Sequence, residues 1–176
     1  MKKHRIILTL ISVFVLISIC VTVFAAVGAK KPDIVSGKTE NLIADRISVT
    51  VQNTEFTIKN KASAAEEYTL TIYLTAAKTQ GDFYAVINSL KLSGISYSKM
   101  VFTALSEAAE GKTLDYLTLT AKNGVPEEYK WQIDVTLPIE SKGEYAPEFI
   151  IDYTSGTKAD AAQQKLMRIP LKITVE

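Results

Sequence analysis

The sequence predicts an all-β domain, an antiparallel sandwich of two sheets, behind an apolar N-terminal segment. Two observations predict it: apolar and polar residues alternate in at least six segments, and glycine-containing turn pairs separate several of them. No cysteine follows Cys20, so this domain must bury a core large enough to be stable without disulfides. Alternation with a period of two places one set of side chains on a buried face and the other in solvent. Six such strands need two packed sheets to cover their apolar faces.

The six segments are rich in Thr, Val, Ile and Tyr, which suit a pleated, half-buried surface. Their apolar members recur at every second position. They are Ile47, Val49 and Val51; Tyr68, Leu70, Ile72 and Leu74; Leu117 and Leu119; Tyr129, Trp131, Ile133, Val135 and Leu137; Phe149, Ile151 and Tyr153; and Met167, Ile169, Leu171, Ile173 and Val175.

Short glycine-containing pairs predict the turns. Asn123-Gly124 lies between two alternating segments, Ser155-Gly156 begins a loop between two others, and Lys142-Gly143 precedes a further strand. Pro170 removes a backbone donor inside the last segment, which predicts an edge strand or a bulge at that point.

Residues 82–111 carry helical spacing instead of simple alternation. One apolar set follows Asp82 and another follows Ser98, and Gly94 and Gly111 stand where each helix would stop. This spacing predicts one or two short helices in a mostly β domain, although either piece also fits a strand. The two sets are Phe83, Val86, Ile87 and Leu90, and Val101, Ala104, Leu105 and Ala108.

An export segment occupies residues 1–29. An uncharged run over residues 6–29 follows a basic start, and it is long enough to cross a bilayer, which needs about 20 apolar residues. Its end, Val27-Gly28-Ala29, also fits a signal-peptide cleavage site. The segment is therefore a signal peptide or a membrane anchor, and if uncleaved it holds the protein to the membrane.

Both alternatives place residues 30–176 outside the cytoplasm, secreted or on the cell surface. Residues 30–41 are polar and predict a spacer, and the sandwich domain is predicted over residues 42–176. Residues 30–176 carry 17 Lys and Arg against 19 Asp and Glu, a net charge of −2. This balance gives no support for nucleic-acid binding.

Residue types exclude several chemistries from the exported part. The single histidine is His4 and the single cysteine is Cys20, both in the export segment. Ser-His-Asp and Cys-His catalysis therefore lack their base, and zinc lacks its usual ligands. No Asp-x-Asp-x-Asp calcium loop occurs. We expect no catalytic residue, no metal and no cofactor, and hence no enzyme activity.

Residues 106–113, SEAAEGKT, end like a phosphate-binding loop. Such a loop needs a glycine where Ser106 stands, and Glu107 and Glu110 would place negative charge against the phosphates. The residues after Thr113 alternate like a strand and do not open a helix. We therefore expect no nucleotide, and we assign Gly111 to a turn or a helix end.

Carboxylates and aromatics are the remaining candidates for a site. Asp134 and Asp152 stand on the polar faces of their strands, where solvated charge explains them. Trp131 is in phase with its apolar neighbours and is expected in the core. Tyr73 and Tyr116 are out of phase, which makes them candidate surface-binding aromatics, although cross-strand pairing explains them as well.

The last third of the chain resembles a known family. YKWQIDVTLP, KGEY, FIIDYTSG and RIPLKITVE follow one another between Tyr129 and Glu176, and FTIKNKASAAEEYTLTIYL covers residues 56–74. This series is similar to the strands of immunoglobulin-like modules of bacterial cell-surface proteins, of the CARDB and S-layer-associated type. The resemblance implies an immunoglobulin-like antiparallel β-sandwich that acts as an adhesive, spacer or assembly unit without enzyme activity.

Three functions remain open from the sequence. The first is a non-enzymatic envelope protein that binds an envelope partner through sheet faces or edge strands, with the last strand as a candidate edge. The second is a carbohydrate-binding module for cell-wall or extracellular glycans. The third is a matrix-fibre or pilus-like subunit, for which residues 30–41 with Leu42 and Ile43 would donate a strand.

Overall fold

A computed structural model describes residues 33–59, 66–139 and 141–176. These residues form thirteen strands and two 3-10 turns, Glu107–Ala109 and Ala159–Ala161, and contain no α-helix. The strands are β1 Asp33–Ala44, β2 Ile47–Lys59, β3 Glu66–Lys78, β4 Tyr84–Ser93, β5 Lys99–Ala104, β6 Leu117–Thr118, β7 Ala121–Lys122, β8 Val125–Pro126, β9 Tyr129–Ile139, β10 Gly143–Tyr145, β11 Glu148–Gly156, β12 Gln163–Pro170 and β13 Lys172–Val175.

Two sheets hold most of these strands. The larger sheet has seven strands in the order β10-β13-β2-β3-β9-β5, with β1 also paired to β2. The smaller sheet has four strands in the order β12-β11-β4-β6, and β7 and β8 form a separate hairpin. All pairs are antiparallel except β13 with β2, which is parallel.

Strand β2 changes its partner half-way along. It pairs with β1 over almost its whole length, but β3 pairs only with Ile47–Gln52 and β13 only with Glu55–Ile58. Asn53, between the two halves, has φ 63° and donates from Nδ2 to the carbonyl oxygen of Thr71 at 3.1 Å. Asparagine tolerates this left-handed conformation better than most residues, so the strand can change direction at this position without a glycine.

The inward faces of both sheets meet in one hydrophobic core. The apolar members of the six predicted segments are all buried, as their alternation predicted. Trp131 is 1% exposed and its ring stacks on Tyr129, with centroids 6.0 Å apart and planes 17° apart. The prediction that Trp131 fills the core is therefore confirmed.

The turn predictions have mixed outcomes. Asn123 and Gly124 join β7 and β8 with φ of 54° and 79°, the combination that a type I′ hairpin turn needs. Gly143 begins β10, as expected for a strand that follows Lys142. Ser155 and Gly156, in contrast, close β11 and do not yet belong to the following loop.

The helices predicted in residues 82–111 are wrong except for one 3-10 turn. Most of the first piece lies in β4, and the second begins with β5. The helical spacing has a physical cause, because β4 contains a bulge: Ile87 pairs with Tyr153, and Ser89 pairs with the preceding residue Asp152. The extra residue shifts the inward phase from odd to even positions, which imitates an i, i+3 step.

The predicted spacer over residues 30–41 is also corrected. Asp33–Asn41 belong to β1, which pairs with β2 along its length, with a one-residue shift in register where Lys38 lies opposite Asn53 and Thr54. The strand lies at a sheet edge and most of its side chains are exposed. Its sequence is therefore as polar as that of a linker. The strand that we expected to be donated in a fibre thus pairs within its own chain.

The signal peptide or anchor predicted over residues 1–29 lies outside the described residues. Within the described ranges, the chain has no helix that is long and apolar enough to cross a membrane.

Replacing Gly156 by alanine should destabilise the fold, whereas the same change at Gly37 should not. A Cβ at Gly156 would lie 2.6 Å from the Cα of Ala162, while a Cβ at Gly37 meets nothing within 4 Å. We expect Gly156→Ala to lower the free energy of unfolding by about 1–3 kcal/mol, the usual cost of overpacking. We expect Gly37→Ala to change it by less than about 1 kcal/mol. Urea denaturation measures both, and equal effects would contradict the contact.

Candidate functional site

Tyr73 lies on the outward face of the larger sheet. In the cross-strand row that contains it, Gln52 of β2 lies on one side, and Gln132 of β9 and Thr103 of β5 lie on the other. All four residues point away from the core: Tyr73 and Gln132 each lie between two buried residues, and Gln52 and Thr103 lie opposite them on the same face. The tyrosine ring is half-buried among polar side chains, so it presents one aromatic surface within a polar row.

A shallow groove of about 220 Å³ runs beside Tyr73. It combines one aromatic ring, hydroxyl and amide groups, one cation and one apolar side chain. Its outward-facing residues are Gln52, Tyr73, Thr75, Leu105 and Lys130. Leu105 directly follows β5, so the groove opens toward the β5 edge of the sheet.

Asp134, on the same face, already has hydrogen-bond donors at both carboxylate oxygens. Thr71 donates from Oγ1 to Oδ1 at 2.7 Å, and Gln132 donates from Nε2 to Oδ2 at 2.9 Å. A further hydroxyl pair, Thr69 and Thr136, joins β3 to β9 at 3.1 Å. These contacts hold Asp134 as part of a polar lattice that orders the outward face.

Asp152 lies on the other sheet, also between amide donors. Asn88 donates from Nδ2 to its Oδ1 at 2.9 Å, and Gln164 donates from Nε2 to its Oδ2 at 2.7 Å. The structure therefore does not bring Asp134 and Asp152 together. Nor do the described residues contain a group of three or more His, Cys, Asp or Glu side chains that could hold a metal ion.

Strand β5 forms an open edge of the larger sheet. It pairs with β9 on one side, and no described strand pairs with it on the other. Three large apolar side chains are exposed there: Val101 at 37%, Phe102 at 41% and Leu105 at 51%. We refer to residues Lys99–Leu105 as the β5 edge.

The backbone direction at this edge follows from its pairing. Leu105 donates from its N–H to the carbonyl oxygen of Lys130 at 2.8 Å. Because hydrogen-bonded pairs alternate along an antiparallel ladder, Thr103 and Val101 also direct their backbone groups to β9. Met100, Phe102 and Ala104 then direct theirs to the open side, where an additional strand would find donors and acceptors.

The other edges carry more charge. β1 includes Asp33, Lys38 and Glu40, and Lys38 forms ion pairs with Glu40 at 3.0 Å and with Glu55 at 3.1 Å. These two carboxylates raise the pKa of the Lys38 ammonium, first through their hydrogen bonds and then through their charge. Charged side chains and prolines are the usual protection of exposed strand edges.

The remaining long edge, β12, is protected in the same way. It carries Lys165 and Arg168, whose ion pairs reach Asp45 at 2.5 Å and Glu148 at 2.8 Å, and it ends at Pro170. The edge position predicted from Pro170 is thus found in β12, whereas β13 lies between β10 and β2. Among the long strand edges, β5 has the least of this protection, since Lys99 is its one charged residue.

Tyr116 lies apart from Tyr73. It precedes β6 in the smaller sheet, it is 81% exposed with φ 53°, and its N–H donates to the carbonyl oxygen of Asn88 at 3.1 Å. Tyr73 and Tyr116 therefore belong to different sheets, and together they do not form an aromatic row.

Residues 106–113, whose sequence resembles a phosphate-binding loop, form a turn in the structure. Glu107–Ala109 form a 3-10 turn, Gly111 has φ 65°, and the chain continues to β6 without opening a helix. The ammonium of Lys112 lies 5.0 Å from the ring centroid of Tyr129. Gly111 thus makes a turn, one of the two alternatives predicted from the sequence.

Comparisons with known proteins give little further information. No protein-family model matches the chain, and no curated protein sequence matches it. Among solved structures, the chain is similar to the GAE domain of yeast GGA1, with 10% identity, a TM-score of 0.37, and coverage of 76% of this chain and 98% of that domain. At this TM-score the similarity supports no argument about fold or function.

Sequence reasoning identified Tyr73 but missed the β5 edge. The apolar residues of residues 98–108 have a helical spacing, which predicted a helix in place of the strand. A signal was nevertheless present, because Val101, Phe102 and Thr103 are three consecutive residues of high β propensity. That this strand has one free side follows only from the order of strands in the sheet.

Amide exchange of the monomer at low concentration should report the open side of β5. We expect the N–H groups of Val101 and Thr103 to exchange slowly, because they donate to β9. We expect those of Met100, Phe102 and Ala104 to exchange faster by at least about tenfold, because solvent reaches them. Hydrogen–deuterium exchange followed by NMR measures all five, and uniform protection along β5 would contradict an open edge.

Proposed function

We propose that this chain is a non-enzymatic, extracytoplasmic envelope module, an immunoglobulin-like sandwich that binds or assembles through its β5 edge. The single observation that carries the proposal is this edge, which has an unpaired side and three exposed apolar side chains along it. An exposed apolar strand edge promotes pairing with another strand, and soluble proteins normally protect such edges.

The order of strands supports the immunoglobulin-like part of the proposal. A constant-type domain has strands ABED in one sheet and CFG in the other. In this chain β2-β3-β9-β5 correspond to A, B, E and D, and β4, β11 and β12 correspond to C, F and G. The parallel pair of β13 with the second half of β2 fits a last strand that runs beside the first. β1 and β10 are additions at the edges.

The sequence supports the extracytoplasmic part. Residues 6–29 are long and apolar behind a basic start, which is typical of a membrane anchor or an export signal. A domain without cysteine needs a core of its own, and the shared core of the two sheets supplies it. The resemblance to bacterial surface modules suggests adhesion or assembly as the role.

Photo-cross-linking in cells tests the docking surface. A photoreactive amino acid at Val101 should give covalent adducts, and the same amino acid at Leu166 should give few. Leu166 is a matched control because it is also apolar, exposed (58%) and on an edge strand, but on the protected β12. Mass spectrometry of adducts from membranes and from medium identifies the partner and shows whether residues 1–29 remain. Absence of adducts at Val101, or equal yields at both positions, would overturn the proposed function.

A second candidate function is glycan binding in the groove beside Tyr73. The observation that favours it is the combination of one aromatic ring with the amide of Gln52, the hydroxyl of Thr75 and the ammonium of Lys130. Sugar rings bind proteins by stacking on an aromatic face with hydrogen bonds around it. The separate position of Tyr116 limits this site to a single aromatic.

Affinity for purified cell-wall polysaccharide tests this second candidate. We expect Tyr73→Ala to weaken binding by about twofold to twelvefold, since aromatic stacking contributes about 0.5–1.5 kcal/mol. Tyr116→Ala is the control, because it removes a more exposed tyrosine outside the groove. Equal affinities of the two variants in an affinity gel would exclude the groove as a glycan site.

A further inference from the structure

We propose that a cleft beside the core binds a small monocarboxylate through the ammonium group of Lys78. The cleft has a volume of about 300 Å³ and lies between the β3–β4 connection and the chain from β6 to β7. Its walls include one lysine, two aromatic residues and two threonines, which are Lys78, Phe83, Tyr84, Thr118 and Thr120. None of them belongs to the β5 edge, so this site is independent of the proposed function.

Lys78 is buried without an opposite charge. It is the last residue of β3 and continues the inward phase of Leu74 and Ala76, so only 9% of it is exposed. Its ammonium donates one hydrogen bond, at 2.6 Å, to the carbonyl oxygen of Gly81. Among the described residues it forms no ion pair with Asp or Glu. Two of its three N–H donors therefore have no acceptor there.

This position of Lys78 calls for an anion. A lysine is seldom so deeply buried unless it is paired, because a buried charge without a partner raises the free energy of the folded state. An anion that accepts the remaining N–H groups lowers that cost, since charge-assisted hydrogen bonds are stronger than neutral ones. Lys78 lines the cleft, so a ligand in the cleft reaches its ammonium group.

Arg46 adds a second positive charge beside the same cleft. Its guanidinium carbon lies 4.6 Å from the ring centroid of Phe83, one of the walls. Its Nε atom is buried and has no hydrogen-bond partner in the described part of the chain. The backbones of the two cationic segments also meet, because Thr79 donates from its N–H to the carbonyl oxygen of Arg46 at 2.9 Å. The charge around the cleft therefore complements a negatively charged ligand.

The walls favour a monocarboxylate over a phosphate. A phosphate dianion needs several charged or backbone donors, whereas Lys78 is the one charged residue that lines the cleft. Thr120, at the rim, donates from Oγ1 to the carboxylate of Glu127, which adds a negative charge there. Phe83 and Tyr84 supply apolar contacts, and about 300 Å³ is the lower limit of small-molecule sites. These features fit one carboxylate on a ring-sized apolar body.

Titration of the full-length protein in detergent with benzoate tests the inference. Benzoate is a monocarboxylate on an aromatic ring, and benzamide has nearly the same shape without the charge. We expect benzoate to shift the NMR amide signals of Ala85 and Leu119, which line the cleft. We expect benzamide to bind at least about tenfold more weakly, because it lacks the charge-assisted hydrogen bond. Equal affinities, or no shift at millimolar benzoate, would overturn the inference.

A pair of lysine variants tests the role of Lys78. Lys78→Met removes the charge but keeps an unbranched apolar side chain, and it should weaken benzoate binding at least about tenfold. Its unfolding temperature should be equal to or above that of the original chain, because an unpaired buried charge is gone. Lys122→Met is the matched control, since Lys122 is exposed on β7, and it should change the affinity by less than about twofold. Unchanged benzoate affinity in Lys78→Met would leave Lys78 a structural role and contradict the site.

Two further ligands identify the anion and its source. Inorganic phosphate should bind more weakly than benzoate, and tighter binding of phosphate would overturn the assignment to a carboxylate. A short peptide that ends in phenylalanine, with a free carboxylate or as the amide, distinguishes two sources of the carboxylate. Tighter binding of the free-acid peptide than of benzoate supports the site with a polypeptide terminus as its ligand. Weaker binding of that peptide supports the site with a free small acid as its ligand.

Discussion

The two-sheet arrangement depends on one constraint, the sharing of the last alternating segment of the chain between both sheets. The last alternating segment of the chain serves both sheets, since β12 pairs with β11 and β13 pairs with β2. Pro170 lies opposite Glu148 in a non-hydrogen-bonded pair of the ladder with β11, so its missing N–H is on the open side of the edge strand and costs no bond. The next residue, Leu171, donates to the carbonyl oxygen of Pro147 at 2.8 Å, in register with that ladder, before β13 begins. One continuous strand thus crosses from the smaller sheet to the larger, and its apolar residues remain buried throughout.

Strand β2 is the strand of the larger sheet with which β13 pairs after the chain has crossed. Its left-handed Asn53 separates the half that pairs with β3 from the half that receives β13. Beyond that residue β3 no longer pairs with β2, and the residues Glu55–Ile58 pair with β13. The single core between the sheets, with Trp131 and Tyr129 stacked inside it, follows from this connection.

The outward face of the larger sheet and the β5 edge differ in how many groups they leave free to bind a partner. On the outward face of the larger sheet, side chains such as Asp134 and Thr71 bond to one another and leave few groups free for chemistry. The β5 edge differs, because it offers unpaired backbone groups beside apolar side chains. The binding role that we propose needs a surface whose burial lowers the free energy, and the edge supplies one where the polar face does not. The groove at Tyr73 adjoins this edge through Leu105, so a partner on the edge would also reach the groove.

The sequence by itself determined the β class, the buried residues of each strand and the Asn123-Gly124 turn, because these follow from period-two alternation and from local backbone preferences. It also singled out Tyr73 as an outward residue. The tertiary structure decided the rest. That β4 is a strand depended on its pairing with β11, across a bulge that gives its apolar residues a helical spacing, and that residues 33–41 are a strand depended on their pairing with β2. The free side of β5 depended on the order of strands, which arises from contacts between residues far apart in the chain. Such contacts leave no periodic trace in any one segment, so no local pattern could reveal them.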